Sequence, residues 1–190
     1  MANVTWQDAL DRLKEGNARG TSGDYNHPNT SNDHQATLTS GQAPFAIILS
    51  CADSRVVPEY AFDQGMGDIF VIRVAGNVAN ASSMASIEYA VAHLGTKLIV
   101  VLGHESCGAV TAAIAGGDNG PNLNHLLDHI QPAVQQAGSN DVNTVVKKNA
   151  ELTGQALIDN SSIIANAVQN DGVKIVPAYY NLGDGKVDFL

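Results

Sequence analysis

Leu98-Ile99-Val100-Val101-Leu102-Gly103-His104-Glu105-Ser106-Cys107 is the stretch on which the fold turns. An unbroken apolar run gives way to a glycine and then to side chains that can ligate or ionise. A strand with one wet face alternates apolar and polar residues. A continuous run fits a strand buried on both faces, as in a parallel sheet covered by helices. Phe45-Ala46-Ile47-Ile48-Leu49, running into Ser50-Cys51, has the same character, as do Ile69-Phe70-Val71-Ile72-Arg73-Val74 and Lys174-Ile175-Val176-Pro177-Ala178-Tyr179-Tyr180. The segments 82–93, 106–114, 123–137 and 142–169 read as helices. Strands alternating with helices predict an α/β fold, a mostly parallel central β-sheet flanked by helices. Segments 175–180 and 186–190, joined by Asn181-Leu182-Gly183-Asp184-Gly185, read as a C-terminal β-hairpin because that link is rich in turn formers.

The N-terminal side differs. Residues 5–17 read as a helix with Thr5 as N-cap, Trp6, Leu10 and Leu13 on one face, and Gly16 as the exit. Residues 21–40 are polar, a long stretch for a loop within a compact domain, and suit an arm lying across another surface. The expected organisation is a single domain in two parts, an N-terminal helix and arm over residues 1–40 that packs on another subunit, and an α/β body over 41–190.

The composition excludes several classes of function. The chain has 190 residues, 44% of them hydrophobic, which suffices for one core. Its net charge is -9 and its basic residues do not cluster beyond Lys147-Lys148, which argues against a nucleic-acid partner. The first residues lack a basic region followed by an apolar one, and the apolar runs are too short to span a bilayer. A soluble cytoplasmic protein with no membrane partner is the expectation. In that reducing compartment the two cysteines, Cys51 and Cys107, read as metal-binding or catalytic rather than as a disulfide.

Parallel α/β sheets bind ligands beyond the carboxyl ends of their strands. Two such ends carry Cys51-Ala52-Asp53-Ser54-Arg55 and His104-Glu105-Ser106-Cys107-Gly108. A lone cysteine often only fills space in a core. Two cysteines and a histidine falling together at the ligand end of a sheet point instead to zinc, which takes sulfur and nitrogen at a tetrahedral centre. Three protein ligands leave the fourth position open, the catalytic pattern, and there is no third cysteine to close it. Cys107 also lies at the start of a predicted helix, where the dipole favours a thiolate.

These residues resemble the signature of the β-carbonic anhydrases. So do Phe62-Asp63-Gln64-Gly65, Val71-Ile72-Arg73-Val74-Ala75-Gly76-Asn77, Ser86-Ile87-Glu88-Tyr89-Ala90-Val91 and Val101-Leu102-Gly103-His104. The resemblance implies that Cys51, His104 and Cys107 hold Zn2+, whose water loses a proton near a pKa of about 7. The resulting hydroxide attacks carbon dioxide to give bicarbonate. Asp53 then accepts a hydrogen bond from the hydroxide, and Arg55 holds Asp53 through paired bonds. By the same resemblance Gln42 donates to a substrate oxygen, where developing charge gives the bond more value in the transition state. Gly108 offers its N–H nearby. Phe70 and Tyr89 correspond to apolar pocket residues that a partner subunit supplies, and the chain is expected to form a homodimer or a tetramer.

Some bacterial members carry a bicarbonate regulatory site built on a tryptophan three residues before the first zinc cysteine. Here that position is Ile48 and the only tryptophan is Trp6, so the site is expected to be absent and Asp53 to rest on Arg55 rather than on the metal. Hydrolysis of carbonyl sulfide or carbon disulfide by the same zinc site is the nearest rival reading. A non-catalytic zinc-stabilised protein has no use for Asp53, Arg55 and Gln42. A dithiol redox protein leaves His104 without a role. The remaining histidines, His27, His34, His93, His125 and His129, are given no role by their positions.

Overall fold

The computed structural model describes residues 4–190. Met1, Ala2 and Asn3, which belong to the expected arm, lie outside the described residues. The elements in chain order are α1 (Trp6–Ser22), α2 (Asn32–Thr37), β1 (Ala46–Ser50), α3 (Pro58–Ala61), β2 (Ile69–Arg73), α4 (Ala81–Leu94), β3 (Leu98–His104), α5 (Gly108–Ala115), α6 (Pro121–Asp128), α7 (Gln131–Gln136), α8 (Val142–Asn160), α9 (Ser162–Asn170), β4 (Lys174–Tyr180) and β5 (Val187–Phe189). The strands form one sheet in the order β2-β1-β3-β4-β5. β1 pairs in parallel with β2 and β3, β3 pairs in parallel with β4, and β5 closes the antiparallel hairpin.

Side-chain alternation explains why β1 and β3 read as unbroken apolar runs. Ala46, Ile48, Leu98, Val100 and Leu102 face one core, with Ala9 and Leu13 of α1. Ile47, Leu49, Ile99 and Val101 face the other, beneath α4, α8 and α9. Both faces are dry, so both parities of the strand must be apolar. β2 is the edge strand, and its apolar side chains are only half buried.

The N-terminal arm departs from expectation. The helix runs on to Ser22, because Gly16 is a packing residue rather than a stop: a Cβ there would come 1.8 Å from the Phe62 carbonyl oxygen. The helix ends instead at Gly23, whose φ of 81° suits the C-cap. The arm is bonded at several points to this chain's own body. The carboxylate of Asp63, fully buried, pairs with Arg19 and accepts the backbone N–H groups of Asn26 and His27. Asn29 bonds Asp68, and His34 Nε2 lies 2.9 Å from the Met66 carbonyl oxygen. Buried Asn17 ties the arm to distant segments, donating to the carbonyls of Ala61 and Gly185 and accepting the N–H of Val187.

Two predicted helices are each divided. The 142–169 segment breaks at Ser161, whose φ of -132° leaves the helical range and whose side chain caps α9 at Ile164. The 123–137 segment becomes α6 and α7, meeting at His129 and Ile130. No helix among the described residues is long and apolar enough to cross a membrane.

Candidate metal centre

The chain leaves β1 toward β2 on one side and later returns to β3 on the other, so the strand order reverses between β1 and β3. A crevice opens beyond the carboxyl ends of the strands at such a point. Cys51 follows β1 directly, His104 is the last residue of β3, and Cys107 is the N-cap of α5. All three are buried, and the two Sγ atoms and one imidazole nitrogen lie within 4.8 Å of one another.

The backbone around them is arranged to hold these atoms. Gly76 donates its N–H to Cys51 Sγ at 3.3 Å, and at this point φ is 69° and a Cβ would lie 2.6 Å from Ile130. Only glycine meets both conditions. Arg73 fixes the loop after β1, donating from Nε to the Cys51 carbonyl and from Nη2 to the Asp53 carbonyl. Nδ1 of His104 lies 2.8 Å from the Glu105 carbonyl oxygen, which orients the ring and leaves Nε2 as the free nitrogen. Nε2 is fully buried and has no hydrogen-bond partner. A buried nitrogen lone pair between two sulfurs is an unmet acceptor of several kcal/mol unless a cation completes it.

The thiols point the same way. The neighbouring Cys107 thiol, with the N–H of Gly76, pulls the Cys51 pKa down against the opposing effect of burial. Cys107 is pushed up, by donating to Cys51 and by its own burial. The two thiols are pushed in opposite directions, in the place where a divalent cation would stabilise both as thiolates. The donor set, two sulfurs and one imidazole, fits zinc.

Asp53 stands at the rim. Its Oδ1 accepts Arg55 Nε at 2.9 Å and its Oδ2 accepts Arg55 Nη2 at 2.7 Å, the bidentate pairing of a guanidinium with a carboxylate. The Arg55 hydrogen bonds hold the Asp53 carboxyl well below the usual carboxylate range, against a smaller cost of desolvation. Oδ2 also lies 3.8 Å from His104 Nε2. Gly108 opens α5 and is exposed, with nothing within 4 Å of where its Cβ would be. Gln42, Phe70 and Tyr89 are not brought here. Phe70 pairs with Ile47, four residues before Cys51, about 13 Å down the strand at roughly 3.3 Å per residue. Gln42 is exposed and precedes the amino end of β1. Tyr89 stands beside Phe70, ring centroids 6.4 Å apart, on the half-open flank of the sheet.

A family model described as Carbonic anhydrase matches residues 46–187, well over half of the chain. Among solved structures, a β-carbonic anhydrase of Aspergillus fumigatus superposes with a TM-score of 0.76 at 30% identity, covering 97% of this chain and 89% of that one. The chain belongs to the β-carbonic anhydrase family. A carbonic anhydrase 2 of Mycobacterium tuberculosis is 41% identical, over 98% of this chain and 93% of its own length. A carbonic anhydrase of Mycolicibacterium smegmatis is 39% identical over 99% and 95%. One of two tetrameric β-carbonic anhydrases of Sordaria macrospora matches with a TM-score of 0.76 at 28% identity, covering 84% of this chain and 87% of that one. The activity is the reversible hydration of carbon dioxide to bicarbonate, with zinc as cofactor.

The carbonic anhydrase site also contains residues that sequence reasoning left without a role. Gly76 and Arg73 lie in the quoted motif at the end of β2, but a backbone N–H aimed at a sulfur and a guanidinium on two carbonyls leave no trace in residue type. Asn77 follows Gly76 with φ 45°, and its buried amide nitrogen has no partner. Asn143 at the start of α8 accepts the N–H of Ser106. An asparagine beside the helix N-cap Asp141 reads from sequence as part of an ordinary helix start.

Proposed function

We propose that Cys51, His104 and Cys107 hold the zinc, that Asp53 and Arg55 orient the reacting water, and that Gln42, Phe70 and Tyr89 of a second copy complete the pocket. The observation that carries the assignment is the buried, unpartnered Nε2 of His104, on a ring that brings a nitrogen within 4.8 Å of both cysteine sulfurs. Zinc, when bound, acts as a Lewis acid that makes a water available as a nucleophile near neutral pH.

The chain's own residues supply the rest. Asp53, kept ionised by Arg55, can only accept hydrogen bonds. A water beside it must therefore turn a proton toward Oδ2 and its lone pair away, toward incoming carbon dioxide. Arg55 prevents the carboxylate from rotating, since both oxygens are engaged. Arg73 anchors the same loop at two carbonyls, so the cysteine and the aspartate move as one piece. Gly108, exposed at the start of α5, is the residue whose N–H this reading assigns to a substrate oxygen.

A single chain holds two halves of a pocket that do not meet. Gln42, Phe70 and Tyr89 lie toward the amino end and the open edge, while the zinc ligands lie at the carboxyl end. A homo-oligomer formed along the edge strand β2, in which one copy's edge reaches its neighbour's crevice, brings them together. The half-burial of β2 supports this, because an apolar edge left open is a pairing liability. A cytoplasmic location suits the two thiols, which must stay reduced to bind metal.

Stopped-flow hydration of carbon dioxide by the zinc-loaded protein, with Cys51→Ser beside it, tests the assignment. Fast turnover and about one zinc per chain, both lost in the variant, is the expected result. Full zinc retention by Cys51→Ser would remove Cys51 from the ligand set.

A further inference from the structure

Only Glu105 and Ser106 separate His104 from Cys107, so the conformation of this short link sets where one metal ligand stands relative to the other. Ser106 has a φ of 53°, in the left-handed region that a residue with a Cβ avoids. Something must hold it there. The Glu105 N–H bonds the Tyr180 carbonyl, and the Glu105 carboxylate accepts the N–H of Leu182, so that residue is fixed to the β4–β5 hairpin. Ser106 is held differently. Its N–H donates to Oδ1 of Asn143 at 3.0 Å, and its carbonyl faces Nη2 of Arg55 at 3.4 Å. Asn143 belongs to the first turn of α8, whose start is locked by the Asp141 side chain on Thr144. Its amide is therefore presented from a rigid element.

We propose that Asn143 is a positioning residue for the zinc site, pinning the Ser106 peptide in its left-handed conformation. Ser106 touches both halves of the machinery. Through the chain it sets Cys107, and through its carbonyl it meets the guanidinium that holds Asp53. When Asn143 loses its acceptor, the link relaxes toward an ordinary conformation, Cys107 is displaced from His104, and Arg55 loses a contact. The inference rests on the zinc reading of Cys51, His104 and Cys107, and adds to it a residue remote from the ligands in sequence.

The test is the rate at which the full-length, zinc-loaded protein gives up zinc to a colorimetric chelator, measured beside thermal unfolding. Asn143→Ala is expected to release zinc roughly 10- to 100-fold faster, the range typical for loss of a group that orients a metal ligand. Its unfolding temperature is expected to stay near that of the parent. Asn143→Asp keeps an acceptor oxygen and is expected to release zinc near the parent rate. Ser106→Gly combined with Asn143→Ala is expected to recover most of the loss, because glycine adopts positive φ without a clamp. The Co2+-substituted protein provides a second readout, with a d–d spectrum altered in Asn143→Ala and restored in Asn143→Asp. Parent-like zinc release by Asn143→Ala overturns the proposal, as does equally fast release by Asn143→Ala and Asn143→Asp. A parent protein that binds no zinc refutes the metal assignment itself, so the two failures are distinct.

Discussion

The two ends of the sheet are built to different degrees of completeness. At the carboxyl end Cys51, His104 and Cys107 are buried, their loops are bonded to Gly76, Arg73 and Asn143, and Asp53 is clamped by Arg55. At the amino end and the β2 edge, Gln42 is exposed, Tyr89 is 47% exposed, and Phe70 is only half covered. One end is finished within the chain and the other is not. The part of the site that must hold atoms to a fraction of an ångström is made from one polypeptide's core. In the proposed assembly, the part that need only shape and donate comes from a second copy.

Mixing chains is the sharpest way to break this comparison. Cys51→Ser alone is expected to lose more than ~10³-fold of the hydration activity, since the metal's effect on water goes with it. Gln42→Ala is expected to lose about 10²-fold, as for a donor to developing charge, while keeping its zinc. Co-refolding the two variants should recover activity above either alone. In a mixed pair, the intact metal site of one chain meets the intact Gln42 of the other. Recovery no greater than the average of the parents would mean that each chain uses its own Gln42, against the strand geometry.

Asp53→Asn probes the finished end without dismantling it. The amide keeps the shape but can donate, so it no longer forces the lone pair of the water toward substrate. A loss of roughly 10²-fold in kcat is expected, at the low end for a group that handles a proton, with zinc content unchanged. Because Arg55 holds the carboxyl far below neutral, that ratio should stay flat from about pH 5 to pH 9. A ratio that changed with pH in that window would show Asp53 titrating during turnover.

The smallest effect belongs to the arm. Asp63→Asn should cost about 2 kcal/mol in urea unfolding, the order of a charge-assisted hydrogen-bond set, with kcat per bound zinc unaltered. Burial opposes ionisation of Asp63, but Arg19 and the N–H groups of Asn26 and His27 outweigh it and lower the pKa. The contribution is therefore complete above the ordinary carboxylate pKa, about 3.9. It fades as pH falls through the lower folded-state value. The gap between parent and variant should be full at pH 7 and close in acid.

The cores of β1 and β3 were legible because burial on both faces forces both parities of a strand to be apolar. The candidate zinc ligands were legible because the chain has only two cysteines and both follow such runs. Other features depend on partners far away in sequence. The arm at residues 21–40 looks unattached until Asp63 and Asp68 are seen beneath it. Ser161 looks like any polar residue on a helix face, yet its hydroxyl caps α9 and donates to Glu88. β2 is as apolar as β1 in sequence, and only the sheet order reveals it as an edge. Asn143 acts through one hydrogen bond to a peptide group, which leaves no mark in the residue at the other end.

Asn17 carries a consequence for the birth of the molecule. Its side chain grips Gly185 and Val187, 168 and 170 residues further along. At a synthesis rate of about 5–20 residues per second, the N-terminal helix waits roughly 10–30 s for those partners to be made, and longer for them to clear the ribosome. Until then its amide is served by water and the groove beside it stays open. The helix that carries Asn17 is thus sealed late, only after a stretch some 170 residues further along has been made and has emerged.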